Sequence, residues 1–428
     1  MIGDTMGLNN AKSKFEGGQY LYYYPCRNVD SIYENIANIF NYYKDSLPKA
    51  KESRILIKPN LNSNMNSLTG NTTDLRILAA VIYNLSERGY TNIIVGEGTS
   101  SGFYRNKINV AKRLCVLNLI THYKNVSFLD FNYDDKYPIL FEDSVEAYVA
   151  KTCIESDFFI NIPKIKTHFE ATMTVCLKSL IGCLTGLNEK QKTHFSLYKN
   201  IIHLNEYIHP DLTIVDGLIS MEGTGPSLGT PIRTDSLLAG RDPFLLDMLC
   251  SKIASIDYDR IPVLRLAKAK GYITSGDLEI YDAFKPAKSF KFKEPSPTFI
   301  AKLINNQKWQ KYFILLRIGI LNEFFNIGSV GRLLNMTGLR QDVFNIEDQN
   351  IDTIFANQDC NRCNICERYC PMRLKLEDLG CRDKGCISCL YCYFICPKKA
   401  ISLSGKLGFL SEQINSYDNL TRELERNQ

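Results

Sequence analysis

The sequence lacks a dominant charge. Lys and Arg number 51 and Asp and Glu 46, a net charge of +5 over 428 residues. That balance excludes a strongly basic nucleic-acid binder or a polybasic membrane-surface protein. Long apolar runs are also missing. Residues 1–20 hold no apolar core, so no secretory leader is expected. The most apolar stretch, Tyr312–Phe325, is short and carries Arg317, Asn322 and Glu323, whereas a spanning helix needs about 20 mostly apolar residues. A dinucleotide fingerprint is absent too. Gly96-x-Gly98-x-x-x-Gly102 has one residue too many and reads only as a loop of backbone amides with a weak preference for anions. No flavin or nicotinamide signature stands out. What remains is an ordinary globular composition, 45% hydrophobic and 23% charged, long enough for about two to three domains. Without a leader, a cytoplasmic setting with reduced thiols is expected, and disulfides are not.

Cysteine is abundant. Of 15 cysteines, Cys26, Cys115, Cys153, Cys176, Cys183 and Cys250 are scattered, and nine crowd between Cys360 and Cys396. Eight of these form Cys360-x2-Cys363-x2-Cys366-x3-Cys370-Pro371 and Cys386-x2-Cys389-x2-Cys392-x3-Cys396-Pro397. This is the two-cluster ferredoxin spacing. Three thiolates in a tight loop reach three corners of one cubane, and the fourth, followed by proline, turns to the other. The expected ligands of one [4Fe–4S] cluster are therefore Cys360, Cys363, Cys366 and Cys396. Those of the second are Cys370, Cys386, Cys389 and Cys392. Zinc sites need only two Cys-x-x-Cys pairs each and leave the third cysteine and the Cys-Pro unexplained. Cys381 lies outside both motifs and reads as a small loop residue, with a labile thiol as the sharper alternative.

Upstream, short apolar runs alternate with helical patterns. The runs begin at Arg54, Asn92, Val126, Asp157, Leu212 and Ser236. Helices are expected at Asp74–Arg88, Thr172–Leu184 and Asp242–Ile256. The pattern implies an α/β fold, a mainly parallel sheet with helices on both faces, joined to a small α+β ferredoxin-like iron–sulfur module. The expected boundaries are 20–283 for the α/β domain, 284–350 for a linker and helical connector, 351–408 for the cysteine module, and 409–428 for a polar tail, a surface helix or frayed end.

Polar residues follow the apolar runs, where open parallel sheets bind ligands. Lys58, Asn60, Glu97, Lys164, Lys166, His168 and Asp216 reach that edge, with Glu222 a little further on. Lysines beside carboxylates suit a small anion, with or without a divalent metal. His168 and His194, with Lys166, are the acid–base candidates, with a structural role as the alternative. His122, His203 and His209 read as structural. Lys178 lies opposite the apolar face of its expected helix and reads as solvated. Cys176 and Cys183 read as flanking a buried face.

Several motifs combine. Lys58-Pro59-Asn60, Pro163-Lys164-x-Lys166-Thr167-His168, Leu177-Lys178-Ser179-Leu180-x-Gly182-Cys183, Thr213-x-x-Asp216-Gly217, Met221-Glu222-Gly223-x-Gly225-Pro226 and Leu238-x-Gly240-x-Asp242-Pro243 with Asp247 occur in order. Over about residues 50–275 they resemble the domain-of-unknown-function 362 family, in which a C-terminal bacterial-type ferredoxin module is a common companion. The resemblance implies an iron–sulfur-associated protein without naming a reaction. The Tyr- and Asn-rich segments and the insert at about 285–350 depart from commoner members and leave the partner surface open. The expected function is an iron–sulfur oxidoreductase in which two clusters relay electrons to an anionic substrate or cofactor at the strand edge. There Lys58, Lys164 and Lys166 hold the anion, His168 or His194 supplies a proton, and Glu97 and Asp216 orient groups or hold a metal. A redox partner protein is expected. Two alternatives stay open: an electron-transfer or maturation partner with no substrate of its own, and a non-redox transferase or ligase with structural clusters.

Overall fold

The computed structural model describes residues 20–226, 228–295 and 347–426. Its main sheet contains β1 (Tyr20–Tyr23), β2 (Arg54–Pro59), β3 (Asn92–Glu97) and β4 (Val126–Asp130). A separate hairpin follows, β5 (Lys136–Leu140) with β6 (Glu146–Ala150). The main sheet resumes with β7 (Phe158–Ile162), β8 (Lys164–His168), β9 (Thr172–Thr174), β10 (Leu212–Thr224) and β11 (Leu228–Gly240). In space the order is β1-β11-β10-β7-β2-β3-β4, with β8 pairing β10 and β9. β10, β7, β2, β3 and β4 run parallel.

β2 shows why this sheet is covered on both sides. Ile55 and Ile57 share a core with α1 (Val29–Tyr42) and α2 (Leu75–Glu87), whereas Leu56 packs among Phe131, Phe159, Leu180 and Leu204. A strand apolar on both faces belongs in a parallel sheet between helical layers. The expected helix at Asp74–Arg88 forms as α2. Asp74 caps it by accepting from Arg76 N–H, and Gly89 follows with φ +83°, as a left-handed helix stop requires. Asp242 and Pro243 open the helix Pro243–Ile253 in the same way.

Several expectations change. The run at Ser236–Ala239 is not a further parallel strand. It lies in β11, which forms a long antiparallel hairpin with β10 and also pairs antiparallel with β1. The stretch Thr172–Leu184 is not one helix. It divides into β9, a short helix Cys176–Ser179 and a 3-10 turn Leu180–Cys183. The Phe284–Thr298 segment is not a simple surface linker where it is described. Phe290 and Phe292 are buried and donate backbone N–H groups to Ile253 and Ala254 carbonyls. The helical connector, Tyr312–Phe325 included, lies outside the described residues.

The cysteine module carries a repeat of 26 residues, and its backbone repeats with it. Arg362 and Asn364 have positive φ, as do Ser388 and Leu390, and Arg373 is matched by Lys399. Helices Ile365–Arg368 and Tyr391–Ile395 follow the two loops. β12 (Asn350–Ala356) and β13 (Ile401–Lys406) close the module antiparallel. It is not a bead on a tether: Ile365, Tyr369 and Ile395 belong to one apolar core with Ile32, Ile36 and Leu78. Nor is the tail frayed. Phe409, Leu410, Tyr417, Leu420 and Leu424 are buried, Tyr417 stacks on Phe394 at 4.4 Å, and Gln413 bonds Asn66 N–H and the Asn64 carbonyl. No helix among the described residues is long and apolar enough to cross a membrane.

Candidate functional site

Two cavities in the module separate the eight motif cysteines. Cys360, Cys363, Cys366 and Cys396 line one, with Leu376 and Ile401. Cys370, Cys386, Cys389 and Cys392 line the other, with Ile354, Leu379 and Tyr391. The division follows the crossed sets drawn from the spacing. The αL residues inside each Cys-x-x-Cys loop bend the backbone into the tight turns that collect N–H groups toward one side. The last cysteine of each motif also accepts an amide: Leu374 N–H approaches Cys370 Sγ at 3.4 Å and Ala400 N–H approaches Cys396 Sγ at 3.2 Å. Cys381 is exposed and lines neither cavity.

The first cavity is the outer one, with Asn361 and Arg362 exposed on its rim. The second faces the α/β domain. Tyr391 is buried and its hydroxyl bonds Ser67 and accepts from Leu75 N–H at 3.1 Å. Arg76 lies over the Tyr369 ring at 4.2 Å and pairs with Asp74 at 2.7 Å. Asp74 N–H donates to Asp216 Oδ2 at 2.7 Å, and the same oxygen accepts from Lys164 Nζ at 2.8 Å. Hydrogen bonds on either side of the Asp74–Leu75 peptide unit thus connect the inner cavity's wall to the strand edge. Cys115, a scattered cysteine, sits beside this junction, with its thiol on the Ser388 carbonyl at 3.5 Å.

At the strand edge the expected residues divide by role. Lys58 is buried and donates to Glu97, Ser179 and the Pro59 carbonyl. Glu97 also accepts from Leu61 and Gly98 N–H. Lys164 and Asp216 form a second, fully buried pair. These four groups are neutralised within the protein, so Lys58 and Lys164 are not free cations. The Gly98 amide is likewise committed, to Glu97 and the Gly182 carbonyl. It is not an open anion loop. A methyl on Gly182 would overlap the Glu97 carboxylate, so only glycine lets the Leu180–Cys183 turn lie over the Lys58–Glu97 pair.

Lys166 differs. Its acceptors are neutral, Asn62 Oδ1 at 3.1 Å and the Asn71 carbonyl at 3.0 Å. Burial, the largest cause, holds it well below the ordinary lysine range. His168 is buried beside it and meets Lys178. His194 is half-exposed, 3.4 Å from Glu170. Asn60 is buried next to Lys58 and its carbonyl accepts from Thr73 N–H. Glu222 stands apart: it bonds Lys293 through backbone and side chain and anchors the 290s segment. Among the described residues no three His, Cys, Asp or Glu side chains form a group that could hold a single metal ion.

Sequence reasoning missed two lysines here. Lys178 is not a solvated helix residue but half-buried against His168, and the broken helix is the reason. Lys190 is buried and donates to Asn132 and to the Leu184 and Gly186 carbonyls. Burial pushes both down to about 8. Lys178 stood in a quoted motif. Lys190 carried no signal. Asn161 adds an unsatisfied donor: its Oδ1 accepts from Ser179, and its buried Nδ2 has no partner.

The chain is 29% identical over 231 residues to a thylakoid-associated protein of Synechocystis sp., covering 51% of this chain and 68% of that protein. It is 39% identical over 49 residues to an uncharacterised protein of Methanocaldococcus jannaschii, 11% of this chain and 20% of that one. Among solved structures, the lactate racemase apoprotein of Thermoanaerobacterium thermosaccharolyticum aligns with a TM-score of 0.38 at 11% identity, over 54% of this chain and 56% of that one. A Thermotoga maritima protein aligns with a TM-score of 0.30 at 12% identity, over 48% and 54%. The chain spans about half the length of these two structures. Residues 55–252, which hold every strand-edge lysine described above, match the family described as a domain of unknown function, DUF362.

Proposed function

We propose that the protein binds two [4Fe–4S] clusters in its paired cysteine cavities and passes electrons to a small anion at the lysine-rich strand edge. The observation that carries this reading is the coincidence of each crossed thiol quartet with one cavity. The apolar rims and the amides on Cys370 and Cys396 fit such a group. Clusters bound there supply one-electron chemistry, at potentials that ferredoxin-type ligation spreads over about −700 to +450 mV.

The chain's own residues supply direction. Arg362 and Asn361 leave the outer cavity's rim accessible to a partner protein, while Tyr391 ties the inner one to α2. At the edge, two lysines are cancelled by two carboxylates. Lys166 and Lys190 have only neutral acceptors. Uncompensated cationic groups and the unpaired Asn161 amide are costly when buried, and an anion lowers that cost. His194, half-exposed beside Glu170, is the histidine left to exchange a proton with such a ligand, as reduction requires, because both ring nitrogens of His168 are engaged.

Anaerobic reconstitution tests the reading. About eight iron and eight sulfide per chain are expected, with reoxidation of the reduced protein accelerated by a small carboxylate or phosphate compound. Iron that never exceeds one or two per chain, or reoxidation indifferent to a panel of such anions, would overturn it.

A further inference from the structure

The segment after β8 brings His168 against Lys178. His168 Nδ1 accepts backbone N–H groups from Glu170 at 3.1 Å and Ala171 at 3.4 Å. A ring nitrogen that receives an N–H carries no proton, so the neutral ring is protonated on Nε2 and an imidazolium is excluded. Nε2 lies 2.6 Å from Lys178 Nζ. An ammonium there would set donor against donor. A free amine offers the lone pair that the contact needs.

We infer that Lys178 stands as a neutral amine and is the nucleophile of the strand-edge site, forming an imine with the carbonyl of a small carboxylate-bearing compound such as a 2-oxo acid.

The surroundings agree. Burial, the largest cause, keeps His168 well below the ordinary imidazole range. Burial lowers Lys178, and only Glu170 opposes it. Lys190, lowered to the same extent, has three oxygen acceptors and is therefore an ammonium. The difference between the two lysines lies in their partners. Asp247 accepts from Cys176 N–H at 2.7 Å and Leu177 N–H at 3.4 Å, fixing the turn that carries Lys178.

The step balances without an oxidant or reductant. Nζ adds to the carbonyl carbon, both amine hydrogens pass to the carbonyl oxygen, and that oxygen leaves as water as C=N replaces C=O. His168 is a positioning residue: its Nε2–H favours the amine over the ammonium. The carboxylate part of the ligand class rests on the anion-site reading above, whereas the amine's protonation state rests on the His168 geometry alone.

The test uses the full chain at pH 7, glyoxylate or formaldehyde as carbonyl, cyanoborohydride to trap the imine, and peptide mass spectrometry. Lys178 is expected to be modified at least about ten-fold faster than the exposed Lys49 and Lys270, and glyoxylate to be preferred over formaldehyde. Lys178 reacting no faster than those lysines overturns the inference and leaves the anion reading standing. Selective modification without a glyoxylate preference overturns the carboxylate class and counts against the anion reading. In a His168→Glu variant the carboxylate pairs with an ammonium, so the pH midpoint of Lys178 labelling is expected to rise by at least about one unit. An unmoved midpoint in a variant that keeps the wild-type circular dichroism overturns the role given to His168.

Discussion

The Tyr391 hydroxyl accepts the backbone N–H of Leu75 at 3.1 Å, so a residue between two cysteines of the inner cavity satisfies one of the orphan donors in the first turn of α2. Replacing it tests how firmly the module is seated. Tyr391→Phe leaves the Leu75 N–H and the Ser67 hydroxyl buried without this partner. The expected loss is about 1–3 kcal/mol, read from denaturant unfolding. A change below a few tenths would mean that the interface does not depend on this contact.

The crossed cysteine sets make a prediction about which residues act together. Cys370→Ser and Cys386→Ser are expected to perturb the same spectroscopic cluster signal, because both line the inner cavity. Cys396→Ser is expected to group with Cys360→Ser. Electron paramagnetic resonance of the reduced variants separates this from the uncrossed arrangement, in which Cys370 would group with Cys360.

The Lys164–Asp216 pair is fully buried, and the cost of breaking it should exceed the cost of deleting it. Lys164→Met strands a carboxylate that Asp74 and Leu218 N–H only partly satisfy, for an expected loss of about 3–5 kcal/mol. The double variant Lys164→Met, Asp216→Leu should recover a large part of that loss. Thermal and denaturant unfolding of the three proteins provide the cycle.

Asp247 carries a pH signature. Burial, the largest cause, pushes its carboxyl up to about 7 from 3.8. A carboxyl raised on folding holds its proton longer in the folded state. Its contribution to stability is complete below about pH 4 and is lost as pH rises to about 7. Asp247→Asn removes that dependence. Relative to wild type, the variant should gain stability across this window, by roughly 4 kcal/mol at the upper bound. The difference between the two proteins is the quantity to measure, since His168 titrates with the opposite sign.

The paired cysteine loops were legible because three cysteines within seven residues leave little to tertiary context. Two strand-edge lysines stood out for a similar reason, since Lys58 follows an apolar run directly and Lys164 comes shortly after another. Their pairing was not legible. Glu97 reaches Lys58 only because β2 and β3 are neighbours, a fact of sheet order rather than of spacing. Lys178 was misplaced because a 3.6-residue template ran straight through Thr172–Leu184, where Asp247, distant in sequence, caps a new turn at Cys176. The β10–β11 hairpin was hidden because Gly217, Gly223 and Gly225-Pro226 resemble loop punctuation. In the tail, Leu420 and Leu424 were outweighed by the charges around them.

Gln413 bonds Asn64 across 349 residues of chain. Domains tend to fold in the order in which they emerge from the ribosome. The α/β sheet can therefore assemble early, but the clasp between the two parts must wait until Gln413 has been synthesised. Until then the junction lacks the Gln413 bonds to Asn64 and Asn66 and the stack of Tyr417 on Phe394. That interval leaves the inner cavity least enclosed, so the position of one glutamine sets when the two parts can lock together.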